Sequence, residues 1–181
     1  PGTEFMYSLF KFLRYKIRLY LNQLAKPNLK FILSPSTNPG EGEHKILDYI
    51  RSIASDQTIK NHVFFGPDGD LIMLTLSAAK IIKPNQIFLL REDDFNDHIP
   101  NSYNLLNMSK IETEMSEKIP IENFILVGFF VGNDFLPKIQ MFMYLKDGLN
   151  MLVKYAFELH SNLFYYSGSE ININLPNFTT N

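Results

Sequence analysis

The chain has no cysteine among its 181 residues, so neither a disulfide framework nor a thiolate metal site can form. That absence agrees with a reducing, intracellular setting, cytoplasm or nucleus, and no signal peptide is visible. Histidine is scarce: His44, His62, His98 and His160 are scattered, and no two have ligand spacing. The longest apolar run, Phe124 to Val131, is far too short to cross a bilayer, so no membrane is expected among the partners. The net charge of −2 excludes a generic polycation that coats nucleic acid. Internal repeats and low-complexity segments are also missing. The chain opens on Pro1-Gly2-Thr3 without an initiating Met, which leads us to expect a piece of a longer or processed protein.

What is present suits one ordinary α/β domain. Phe and Tyr number 16 and 9 in a chain that is 45% hydrophobic, enough for a sizeable core. The charge is uneven. Lys11, Arg14, Lys16, Arg18, Lys26 and Lys30 face a single acid, Glu4, in the first thirty residues. That stretch reads either as a phosphate-facing stripe or as a solvated helix face. Carboxylates then gather in three short motifs: Pro39-Gly-Glu-Gly-Glu-His-Lys45, Gly66-Pro-Asp-Gly-Asp-Leu-Ile-Met-Leu74 and Val131-Gly-Asn-Asp-Phe-Leu-Pro137. If folding brings Glu41, Glu43, Asp68, Asp70 and Asp134 together, their charges repel unless cations sit between them. An all-oxygen set favours a hard ion, Mg²⁺ or Mn²⁺, and such ions in pairs cleave phosphodiesters.

Periodicity predicts a helix over 6–25, with Phe10, Leu13, Ile17, Tyr20, Leu21 and Leu24 on one face. It predicts a strand over 29–34 and a helix over 43–54 with Ile46, Leu47, Ile50 and Ile53 inward. A buried strand at 62–65, a helix through Leu71 to Ala79 and a strand at 86–90 come next. Residues 92–102 read as an acidic loop, 103–108 as a short strand, and Ser109-Lys-Ile-Glu112 as a capping box. Apolar helices are expected over 121–132 and 146–159, and an irregular tail over 161–181. Strands alternating with helices imply a mainly parallel sheet flanked by helices. Ligand sites in such sheets lie beyond the carboxyl ends of strands, where both the Glu41–Glu43 and Asp68–Asp70 pairs fall.

Each motif keeps two readings. In extended backbone, Asp68 and Asp70 point to one side and can share an ion, yet Pro-Asp-Gly is also ordinary turn chemistry. Glu41 and Glu43 cannot share a helix face, so one belongs in the loop before the helix, or both in an irregular first turn. Acids there also simply match the helix dipole. Gly40 and Gly42 favour the ion reading by allowing close backbone approach. Asp134 follows Gly132-Asn133, a natural helix end, where a carboxylate is electrostatically unfavourable unless a cation resolves it. His44 and Lys45 either contact phosphate or orient neighbours at a helix start. Arg91-Glu92 reads as a structural ion pair.

The three motifs, in this order, resemble those of the XRN family of 5′→3′ exoribonucleases. Pro39 to Ile46 looks like its glutamate motif, Asp68-Gly-Asp-Leu-Ile-Met-Leu74 like its D-A-D-L-I-M-L, and Val131 to Pro137 like its third. The opening Pro1-Gly-Thr-Glu-Phe-Met6 resembles the segment before the family's basic helix. Arg91-Glu92 sits at the end of a leucine-rich strand as in the family, and Ser167-Gly-Ser-Glu-Ile-Asn172 resembles its hairpin after the last helix. The resemblance implies Mg²⁺- or Mn²⁺-dependent hydrolysis of 5′-monophosphate RNA to nucleoside 5′-monophosphates, with two ions in the complete site. It implies a PIN- or flap-nuclease-like fold, with residues 1–160 as the C-terminal part of the nuclease region and 161–181 as a tail or the start of the next segment. It carries over Glu41, Glu43, Asp68, Asp70 and Asp134 as metal-site acids, with His44, Lys45 and Asn133 toward substrate. Gly69 departs from the family's Ala. Further metal-binding Asp residues, the first strand and the 5′-phosphate pocket are expected upstream of Pro1. Two alternatives stand beside this reading: a flap-type endonuclease acting on branched DNA, and an inactive RNA-binding or scaffold fragment.

Overall fold

The computed structural model describes residues 2–24, 29–56, 58–83, 85–93, 102–130, 132, 137, 148–158, 163–167 and 170–173. The chain divides into two compact units, Pro1–Ile53 and Ala54–Asn181.

In the first unit, helix α1 spans Glu4–Leu24 and helix α2 spans Gly42–Ser52. Thr3 starts α1: its Oγ1 accepts from the Met6 N–H at 3.3 Å, and its carbonyl accepts from Tyr7 N. No α1 residue is fully buried, so the expected apolar face is a half-buried stripe of Met6, Phe10, Ile17, Leu21 and Leu24, while Leu13 and Tyr20 are exposed. Its cations stay in solvent, with Lys11 Nζ 4.2 Å from the Tyr7 ring and Lys16 Nζ 5.5 Å from the Phe12 ring. In α2, Leu47 and Ile50 are buried, but Ile46, expected inward, is 47% exposed. The strand expected over 29–34 does not form; that stretch has no strand pairing among the described residues. β-like composition needs a partner edge to become a strand. Here the Phe31 ring instead meets Tyr20 edge-on, centroids 6.5 Å apart.

The second unit is built on a three-stranded sheet, β1 (Asn61–Phe65), β2 (Gln86–Glu92) and β3 (Tyr103–Asn107), in that order. β1 and β2 run parallel, and β2 and β3 antiparallel. The sheet is therefore mixed, not mainly parallel. The parallel pair needs a crossover, supplied by helix α3 (Asp70–Ile81). β3 comes back against the other edge of β2 and feeds directly into α4 (Met108–Ser116). The 94–101 part of the expected acidic loop lies outside the described residues. Helix α5 (Ile121–Phe130) follows. Gly132, at φ +84, returns its N–H to the Phe129 carbonyl, the left-handed helix end that glycine allows.

Alternation sorts the strands. His62, Phe64, Ile87 and Leu89 are buried beneath α3 and α4, whereas Val63, Phe65 and Leu105 remain largely exposed on the opposite face. Leu76, Ala79, Ile82, Ile87, Leu89 and Met108 form the most buried part of the core. Ile119 and Val127 centre a second cluster with Met115, Phe124, Phe130 and Phe157. Gly128 lets α5 approach α3, since a Cβ there would meet Met73 Sδ at 2.7 Å. Helix α6 spans Gly148–Glu158, and β4 (Phe164–Ser167) and β5 (Glu170–Ile173) form an antiparallel hairpin. Ordered strands thus stand where Asn, Ser and Thr suggested an irregular tail. The Asn123 carboxamide oxygen accepts the buried Leu163 N–H at 3.0 Å, anchoring the chain before the hairpin to α5.

The capping box over 109–112 does not form. Asn107 caps α4 instead, accepting from the Lys110 N–H at 3.0 Å. Ser109, one residue inside the helix, turns its Oγ to the Ile87 N–H at 2.9 Å. Glu112 is buried, its Oε2 2.9 Å from Lys83 Nζ and its Oε1 accepting from Ser116 Oγ at 3.0 Å. A partner elsewhere in the fold outweighs a local cap.

Candidate carboxylate site

The Asp68 turn begins where the parallel pair ends. Gly66 N donates to the Leu90 carbonyl at 3.3 Å, one rung past the last β1 residue. A Cβ at Gly66 would come within 2.6 Å of Leu71 Cδ1, so a larger residue there would push the buried Leu71 side chain aside. The Arg91 guanidinium donates to the Pro67 carbonyl, holding the turn against the exit of β2. Arg91 therefore supports the turn that carries Asp68, where an ion pair with Glu92 had been expected.

Asp68 is exposed and Asp70 half-buried. They do not sit in extended backbone as the D-x-D spacing suggested. Gly69 is helical, at φ −66 and ψ −34, and Asp70 is the first residue of α3. The Asp68 carboxylate accepts from the Asp70 N–H at 3.5 Å, satisfying an otherwise unpaired first-turn amide. Two carboxylates at a helix N-terminus experience its positive end.

The glutamate pair lies in the first unit. Glu41 precedes α2 in extended backbone, at φ −76 and ψ 160, and Glu43 falls in the first turn. The division into one loop acid and one helical acid is as expected from their spacing. The strand-end placement is not, because residues 29–34 form no strand. Glu41 makes no side-chain cap, leaving its carboxylate available; His44 Nε2 is 3.8 Å away. Lys45 Nζ donates to the Pro35 carbonyl at 3.5 Å, so it fastens the preceding loop to α2. Gly40, at φ +89, makes the bend between them. Asn133 and Asp134 lie outside the described residues. Among the described residues, no three His, Asp or Glu side chains form a metal-sized cluster.

His62 was not singled out for chemistry by sequence spacing. It is buried, its Nε2 has no hydrogen-bond partner, and burial lowers its pKa below the usual histidine value. No helix among the described residues is long and apolar enough to cross a membrane.

Comparison with known proteins adds to this geometry. A family described as "XRN 5′-3′ exonuclease N-terminus" matches residues 1–93. The chain is 35% identical over 177 residues to 5′-3′ exoribonuclease 2 of Yarrowia lipolytica, covering 84% of this chain and 17% of that protein. It is 32% identical over 199 residues to 5′-3′ exoribonuclease 1 of Saccharomyces cerevisiae, covering 96% and 13%. Against 5′-3′ exoribonuclease 1 of Homo sapiens it is 28% identical over 203 residues, covering 98% and 12%. The chain thus spans less than a fifth of the length of these relatives. With the family match covering half of its residues and the carboxylate motifs in the family's order, the chain belongs to the XRN 5′-3′ exonuclease family.

Proposed function

We propose that the protein containing this chain is a metal-dependent 5′→3′ exoribonuclease that hydrolyses 5′-monophosphate RNA to nucleoside 5′-monophosphates. The observation that carries this reading is similarity to proteins named 5′-3′ exoribonuclease over 84% to 98% of the chain. In this reading residues 1–160 form the C-terminal part of a PIN- or flap-nuclease-like region. Residues 161–181 open the next segment, and the protein works inside the cell, in cytoplasm or nucleus.

The donor chemistry fits a hard divalent cation. Asp68 is exposed and Asp70 half-buried at the start of α3, and both offer only oxygen, which suits Mg²⁺ or Mn²⁺. Glu41, Glu43 and Asp134 are the further acids assigned to the site. Two ions, when bound, would supply an activated water and neutralise charge on the leaving oxygen. The chain's own residues hold and orient: Asp68 and Asp70 bind, Arg91 fixes their turn through the Pro67 carbonyl, and His44, Lys45 and Asn133 are the residues assigned to the substrate. The test is hydrolysis of 5′-monophosphate and 5′-hydroxyl RNA by the full-length protein. The monophosphate substrate is expected to be degraded and the hydroxyl one to resist. Asp70→Ala is expected to abolish hydrolysis while the protein stays folded, and a fully active variant would remove Asp70 from the site.

A further inference from the structure

At the end of β1 and β2 away from the Asp68 turn, the chain forms a second polar site. Asn61 pairs with Gln86 there, and Phe65 with Leu90 at the acid end, so the two ends are about 13 Å apart along β2. Because β3 is antiparallel, with Asn107 opposite Phe88, it delivers the start of α4 to this far end. Lys83, Asn85, Gln86, Ser109, Lys110 and Thr113 line an open pocket of about 510 Å³ between the start of β2 and the first turns of α4.

Two independent features of the pocket favour an anion. The first is the N-terminus of α4, a nine-residue helix, whose positive end attracts negative oxygens. The second is Asn85. It is only 8% exposed, and its Nδ2 has no hydrogen-bond partner. A buried amide donor without an acceptor is unfavourable; Asn85 is among the residues that line the pocket, and a turn of its carboxamide would bring the covered Nδ2 to a ligand oxygen there.

The nearby charges are divided unequally. Lys83 is engaged by the buried Glu112 carboxylate at 2.9 Å, close but without hydrogen-bond alignment. Lys110 is 3.8 Å from Glu114, with both side chains largely in solvent, so that contact holds it weakly. The Ser109 hydroxyl already accepts from Ile87 N, and its hydrogen can turn toward the pocket.

We propose that this pocket is an anion subsite that takes one phosphate group. Asn85 Nδ2 and the Ser109 hydroxyl donate to its oxygens, and Lys110 with the α4 N-terminus supplies the positive potential. The phosphate is either a free or terminal monoester or a phosphodiester of an RNA backbone. The inference does not depend on the carboxylate motifs, so it stands or falls separately from the proposed exonuclease activity.

The test is amide-resolved NMR of the full chain without divalent cations. Inorganic phosphate, a nucleoside 5′-monophosphate and a short oligoribonucleotide lacking terminal phosphates are titrated in turn, with acetate as control. Saturable shifts of the Asn85 side-chain amide together with the Ser109 and Lys110 backbone amides are expected. Shifts with the oligoribonucleotide assign a backbone phosphodiester; shifts with the monoesters alone assign a free or terminal phosphate. Lys110→Glu, at an exposed position, is expected to weaken binding about tenfold. Asn85→Ala is expected to weaken it too, and if that variant unfolds, Lys110→Glu decides. Absent shifts, equal shifts with acetate, or unchanged affinity in Lys110→Glu would overturn the proposal.

Discussion

Replacing Lys83 with Met removes one ammonium and little else, which makes it a clean test of how the unit tolerates its buried acid. The Glu112 side chain is 2% exposed while that of Lys83 is 56% exposed. At 2.9 Å, Coulomb attraction at an effective dielectric of about 20 would reach roughly 6 kcal/mol. Solvent around the exposed ammonium raises the effective dielectric to about 40–80, reducing the interaction to about 1.5–3 kcal/mol. Lys83→Met is therefore expected to destabilise the chain by about 2 kcal/mol, because the buried Glu112 side chain loses its counterion. Glu112→Gln retains an acceptor for Ser116 Oγ, so in that background Lys83→Met should cost little. Urea unfolding of wild type, both single variants and the double variant at neutral pH gives the coupling energy. A single-variant loss below about 0.5 kcal/mol, within the range of ordinary surface changes, or strictly additive losses, would refute the pairing.

Arg91→Ala should free the Pro67 carbonyl and loosen the turn that carries Asp68. In the full-length protein it is expected to lower RNA hydrolysis about tenfold, and unchanged hydrolysis would mean the turn holds without it. Burial lowers the His62 pKa, so the unfolded chain takes up a proton that the folded chain refuses. The stabilising effect of neutral His62 is complete above pH about 6.5 and is lost as pH falls from there toward its lower folded-state value. The slope is at most about 1.4 kcal/mol per pH unit for one proton. The urea midpoint of wild type should fall more steeply than that of His62→Phe between neutral and mildly acid pH, because the variant has no proton to take up there; parallel profiles would rule His62 out as the source.

Most elements were legible because their periodicity is strong and local. α1, α3, β1 and β2 lie within a few residues of the spans expected, and the α2 acids divide as their spacing requires. The failures share a cause: a residue whose local preference was overruled by a partner distant in sequence. Ser109 and Glu112 have the spacing of a cap, but Ile87 and Lys83 claim their oxygens. Residues 29–34 have strand composition, but a strand exists only with an edge to pair to, and sequence periodicity does not reveal edges. The mixed sheet was hidden because β3 is short and its direction is set by where α4 must begin. Within the carboxylate motifs, the residue types were visible but the Gly69 backbone was not, since glycine itself permits either conformation. Arg91 was visible only as a charge at a strand end, and its acceptor is a backbone carbonyl 24 residues away.

Between the last sheet rung at Gly66 and the first helical residue, Asp70, only Pro67, Asp68 and Gly69 remain. The proline ring restricts one of those residues, Arg91 holds its carbonyl, and Asp68 closes on the Asp70 amide. Ordering a free backbone residue costs about 1–2 kcal/mol. Here that entropy is lost as the unit folds, before any ligand arrives. A cation meeting these two acids would encounter a turn already arranged, and its affinity would reflect contact chemistry rather than the ordering of a loop.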